Sequence, residues 1–112
     1  MAARLASSIQ VSALLRLAET QGGFAAIVSK GDPTAGAIAL LLLERGIPIG
    51  LLERLLQPDG GYAWRDSGQA GGNADALEKF LARRRQSDPD LWIIELNVPS
   101  AERFAAEMNA LD

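Results

Sequence analysis

A chain of 112 residues with 11 Lys and Arg against 14 Asp and Glu carries a net charge of -3. That argues for one domain with a self-sufficient core and against a wholly basic nucleic-acid surface. The chain has neither Cys nor His, which removes disulfides, thiol and imidazole catalysis and the commonest transition-metal ligands, so no metal or cofactor is expected. Residues 1–9 lack a signal-peptide pattern, and the longest apolar run, 37–43, is far too short to cross a bilayer. A cytoplasmic protein without membrane contact is the expectation.

In chain order, Val11, Leu14, Leu15 and Ala18 recur at helical spacing with Ser12, Arg16 and Glu19 opposite, which predicts an amphipathic helix. Ser7 with Gln10 can cap it, or Ile9 can belong to a short lead-in strand; Gly22-Gly23 ends it. Residues 24–29 are apolar and partly β-branched, and they stop at Gly31-Asp32-Pro33-Thr34-Ala35-Gly36. The pattern predicts strand, hairpin turn, strand. The same turn can offer backbone N–H groups to an anion, but it lacks the Lys-Ser/Thr ending of a phosphate loop, so the hairpin is preferred.

Residues 37–43 show no polar alternation, as in a strand covered on both faces or a buried helix; the flanking Gly36 and Gly46 favour the strand. Between 47 and 57, Leu51, Leu52, Leu55 and Leu56 fit a helix, and Pro48 suits either state. A strand is preferred because Asp59-Gly60-Gly61 then delivers a hairpin into Tyr62-Ala63-Trp64-Arg65. Residues 67–72 form a Gly-rich connection.

Asp75 followed by Glu78 reads as a capping box, and Leu77, Phe80 and Leu81 continue a helix over 75–86 that Pro89 ends. At 100° per residue Arg84 falls within the apolar stripe, with Arg83 and Arg85 on its flanks. A guanidinium there must snorkel or find a carboxylate, and Asp88, Asp90 and Glu95 are the nearest in sequence. A contact to Glu95 or Asp88 is expected. Residues 91–96 then form a central strand, with Trp92, Ile94 and Leu96 on one face and Leu91, Ile93 and Glu95 on the other. After Pro99, Ser100 caps an amphipathic segment with Glu102 in its first turn and Phe104, Met108 and Leu111 on its stripe, packed on its own domain or on a second copy.

Val11-Ser12-Ala13-Leu14-Leu15-Arg16, Gly31-Asp32-Pro33 with Ala35-Gly36, Trp64-Arg65, and Arg83-Arg84-Arg85 followed by Asp88-Pro89-Asp90-Leu91-Trp92 resemble a proteobacterial family known as domain of unknown function 1491. The resemblance runs from Val11 to Glu95. It departs from the family pattern at Leu17, where a second basic residue is common, and in the apolar segment 47–56. It implies domain limits but transfers no activity, cofactor or catalytic residue.

The expected architecture is one α+β domain over 1–112, with a family-like core at 11–96 and a C-terminal amphipathic segment at 100–111. A small antiparallel or mixed sheet of four to five strands carries two to three helices on one face. The candidate binding residues are Arg16, Trp64, Arg65, Arg83, Arg84, Arg85, Asp88, Asp90, Trp92 and Glu95. Arg and Trp dominate interfaces and, with Tyr62, can stack single-stranded bases, although aromatics on a small sheet more often belong to the core, which is the preferred reading for Tyr62 and Trp64. The leading expectation is a non-enzymatic interaction module for a protein partner, with local nucleic-acid contact less favoured and homodimerisation open. The other reading is a small-molecule or phosphate-handling enzyme using Arg84 with Asp88, Asp90 and Glu95.

Overall fold

A computed structural model describes residues 6–67 and 74–110. The elements are α1 (Ser7–Thr20), β1 (Phe24–Ser29), β2 (Ile38–Glu44), β3 (Ile47–Leu56), β4 (Tyr62–Asp66), α2 (Ala74–Ser87), β5 (Trp92–Val98) and α3 (Ala101–Ala110). The strands form one mixed sheet in the order β1-β5-β2-β3-β4. β5 runs parallel to β2, and the other neighbours are antiparallel. The α+β class is as the sequence predicts, and the segment read as strand or helix between 47 and 57 is the strand Ile47–Leu56.

β2 and β3 are joined by a two-residue turn in which Arg45 and Gly46 both have positive φ, 53° and 81°, the geometry that matches strand twist in a tight hairpin. Gly60, with φ 88°, turns β3 into β4. Ser100 caps α3 as expected, its Oγ accepting from Arg103 N at 3.2 Å, and Glu44 Oε1 accepts from Ala101 N at 2.9 Å.

One expected hairpin is absent. β1 and β2 are not neighbours, because β5 lies between them, and Gly31 to Gly36 is a crossing that passes under the start of β5. The two glycines are required there. A Cβ on either would fall on the Asp90 carbonyl oxygen, leaving no room for any other residue. Asp32 N donates to Asp90 O at 3.0 Å, Trp92 N to Ala37 O at 2.8 Å, and Trp92 Nε1 to Asp32 O at 2.7 Å.

The crossing also seats α1. Ser7 N donates to Thr34 O at 3.1 Å, Ser8 N to Pro33 O at 2.9 Å, and the buried Ser7 Oγ to Gly36 O at 2.6 Å. The helix therefore starts at Ser7, with no lead-in strand at Ile9 and no side-chain cap.

The expectation that helices share one sheet face holds for α1 and α3. On that first face Val11, Leu14, Ala18, Phe104 and Met108 close over Ile38, Leu40, Leu42, Ile94 and Leu96. α2 takes the second face, where Leu77, Phe80 and Leu81 cover Ala39, Leu41, Leu51 and Ile93. The reason is in the strands: β2 is buried at all six residues from Ile38 to Leu43, and each large side chain left uncovered would forgo about 1.5–3 kcal/mol. The buried Ala101, Phe104 and Met108 show that α3 packs on its own domain; Leu111 lies outside the described residues. So do residues 68–72 of the expected Gly-rich connection. Asp75 sits in the first turn of α2, pairing with Lys79 at 3.2 Å, and the expected box is not its cap.

Gly36→Ala is expected to destabilise by more than about 2 kcal/mol, because the clash is with backbone. Trp92→Phe, which leaves the Asp32 carbonyl with Gly36 N as its remaining donor, should cost about 1 kcal/mol from the hydrogen bond alone. Urea denaturation midpoints at unchanged m-value check both.

Candidate functional site

Arg84 leaves α2 on the side facing the sheet, as its place in the apolar stripe predicts, but its partner is not one of the three expected carboxylates. Nη2 pairs with Glu53 Oε1 of β3. Glu53 stands opposite Ala39 in the ladder, beneath the last turns of α2, so the carboxylate is in place when the helix arrives. Both side chains are largely shielded, 31% and 18% exposed. Arg65 is the cross-strand neighbour of Glu53 and donates through Nη2 to Gln57 Oε1 at 3.0 Å.

The remaining candidates disperse. Trp92 is 3% and Trp64 7% exposed, both within the core of the first face, so neither indole is available as a stacking platform. Arg16 is exposed on α1, over the first face, whereas exposed Arg83 and half-buried Arg85 belong to α2, over the second. A single Arg/Trp surface is therefore not assembled.

Asp88 Oδ1 accepts from Asp90 N at 3.1 Å inside the turn, while Glu95 is half-buried in β5 opposite Ala26. Arg84 does not gather Asp88, Asp90 and Glu95 into one set, because the tighter electrostatic partner comes from another strand. Among the described residues no group of three acidic side chains is placed to hold a metal ion.

The Gly31 to Gly36 segment does not present N–H groups to an anion. Thr34 N and Ala35 N donate to Asp32 Oδ2 at 3.2 and 2.8 Å, and Gly36 N to Asp32 O at 3.2 Å. Its free carbonyls are in turn consumed by α1. Beside it, a shallow cleft of about 110 Å³ is lined by Ser7, Gln10, Gly36, Ile38, Arg54 and Trp64, well below the roughly 300 Å³ of a small-molecule pocket. Arg54 lies over the Tyr62 ring at 4.9 Å, a cation–π contact that occupies the aromatic face.

The exposed chemistry lies elsewhere. β1 is an edge strand, paired with β5 alone among the described residues, and its Phe24, Ile27 and Val28 are 66%, 46% and 58% exposed. No charged residue interrupts 24–29. The individual residues were legible in the sequence, but their edge position depends on the insertion of β5. Glu53 was missed although it left a signal: a single carboxylate between Leu51 and Leu55 on one face of a strand.

The family model described as Protein of unknown function (DUF1491) matches residues 5–106. A crystal structure of a DUF1491 family protein from Caulobacter crescentus CB15 is similar at a TM-score of 0.79 and 30% identity, over 90% of this chain and 94% of that one. An NMR structure of a DUF1491 family protein from the same organism gives 0.77 and 28%, over 93% and 94%. A solution structure of a protein from A. tumefaciens gives 0.73 and 30%, over 88% and 89%. No curated protein matches the chain.

Arg84→Ala should destabilise by about 1–3 kcal/mol, through the lost ion pair and the lost packing of its stem, against under about 0.5 kcal/mol for Arg83→Ala. A double-mutant cycle with Glu53→Gln should return a coupling near 1 kcal/mol or more, read from denaturation curves.

Proposed function

The chain belongs to the DUF1491 family of proteins of unknown function, and from that premise we propose that it is a non-enzymatic interaction module. Its contact element is the open edge of β1. The observation that carries this is the conjunction on one strand of a backbone edge unpaired among the described residues and three exposed apolar side chains, Phe24, Ile27 and Val28. Every second residue of an edge strand turns its N–H and C=O away from the sheet. A partner strand satisfies those groups while its side chains cover the apolar ones, the mode by which sheets recruit extended segments.

Arg84 and Trp92, both among the sequence-based candidates, serve the fold: one closes α2 onto β3, the other pins the crossing under β5. The geometry thus moves the proposed contact from the Arg/Trp residues to a neutral strand edge. An acidic chain with net charge -3 is in keeping with a protein partner rather than a nucleic acid.

Affinity capture with the tagged full chain tests this. A bound protein should be retained by the wild type and by Arg83→Glu with Arg85→Glu, with or without nuclease, and lost with Phe24→Lys and Val28→Lys, which place charge on the edge without touching the core. Loss with the arginine variant, or on nuclease treatment, overturns the edge in favour of the basic surface.

A further inference from the structure

We propose that the strand taken up by β1 is β1 of a second copy, so that two chains join their sheets across a two-fold axis in antiparallel register centred on Ala26. This rests on the edge reading above and names its partner. In an antiparallel pair directly opposed residues share a sheet face, which restricts the self-pairing registers to those that place a residue against itself.

Within β1, Ala25 and Ile27 lie on the first face, opposite Leu96 and Ile94, while Phe24 and Ala26 lie on the second, opposite Asn97 and Glu95. Centring on Ala26 sets the small Ala25 against Ile27 on one face and leaves only two methyl groups on the axis. It brings Phe24 of each copy beside Val28 of the other. Centring on Ile27 instead would set Phe24 against Lys30. Centring on Ala25 would set Ile27 against Gly23 and leave Val28 without a partner.

Charge points the same way. Residues 24–29 carry none, so the strand meets its own copy without like-charge repulsion, which is destabilising between directly opposed residues. The first charge beyond β1 is the exposed Lys30. In this register it lies alongside the end of the other copy's α1, whose last turn contains Glu19 and no basic residue. A cation beside those terminal carbonyls is favourable.

The register shift between Ile27 and Ser29 falls at Val28, so the self-paired stretch ends there and spans only Phe24 to Val28. The contact is therefore at the small end of specific interfaces, and the dimer should dissociate on dilution.

Sedimentation of the full chain over about a hundredfold concentration range should show its mass rising from 11.9 kDa toward twice that value. Phe24→Lys with Val28→Lys opposes like charges twice and should weaken association at least about tenfold; Phe24→Lys with Val28→Glu opposes unlike charges twice and should return it to within about threefold of wild type. Both positions are exposed, and circular dichroism confirms that the variants fold.

A wild-type mass constant at 11.9 kDa, or equal association of the two double variants, overturns the second copy as partner. If the chain stays monomeric but captures a different protein that the lysine pair abolishes, the edge reading stands and its occupant is that protein. If capture is also indifferent to the lysine pair, both readings fail.

Discussion

The fold depends on one crossing. β5 is the last strand in sequence yet lies between the first two in space, so the chain leaving β1 must pass beneath the first residue of β5 before it can enter β2. The Asp90 carbonyl occupies that passage, and only residues without a Cβ fit at 31 and 36. Once the path is fixed, its polar groups are spent. Asp32 accepts from Thr34 N and Ala35 N and its carbonyl takes the Trp92 indole N–H, while Pro33, Thr34 and Gly36 hold the start of α1. The densest cluster of turn residues in the chain is thus a structural clasp joining α1, β1, β2 and β5 through the Asp32 backbone and side chain and the Pro33, Thr34 and Gly36 carbonyls.

The second constraint is the apolar character of β2 and β5 on both sides. A strand buried from Ile38 to Leu43 needs a helical layer above and below, and the three helices divide accordingly. α2 alone must serve the second face. Its amphipathic stripe is short, built on Leu77, Phe80 and Leu81, and Arg84 continues it by one turn. A cation in that place is tolerable because Glu53 projects from β3 to meet it. With both charges shielded, the pair fixes the lateral position of α2 on the sheet more than it adds to stability, since desolvation consumes much of the Coulomb gain.

These two constraints also explain how far the sequence could be read. Local signals sufficed where structure is local: the Gly22-Gly23 stop of α1, the Asp59-Gly60-Gly61 turn, the Ser100 cap of α3, and the alternation that places Trp92, Ile94 and Leu96 on one face of β5. They misled where a local motif serves a distant partner. Gly31 to Gly36 has the composition of a hairpin turn, and only the arrival of β5, some sixty residues later, makes it a crossing. Arg84 was correctly marked as facing the sheet, but its carboxylate was sought among sequence neighbours when the partner lay on β3. The two tryptophans followed the ordinary preference of large aromatics for the core.

The sheet's two edges differ in chemistry, and the difference follows from the topology. β4, the edge beyond β3, carries Arg65 and Asp66 and is flanked by Arg54 stacked on Tyr62; charges of this kind make an edge a poor template for another strand. β1, at the opposite edge, has six uncharged residues and a single irregularity near its end. Strand exposure alone would not distinguish the two edges. What distinguishes them is that one bears the usual protection against pairing and the other has an uncharged edge, with Phe24 exposed on the second face beyond the residues that α2 covers. The contrast is the physical ground of the proposed pairing: charge makes a strand edge costly to cover with a second strand, and β1 is the edge on which that cost is absent.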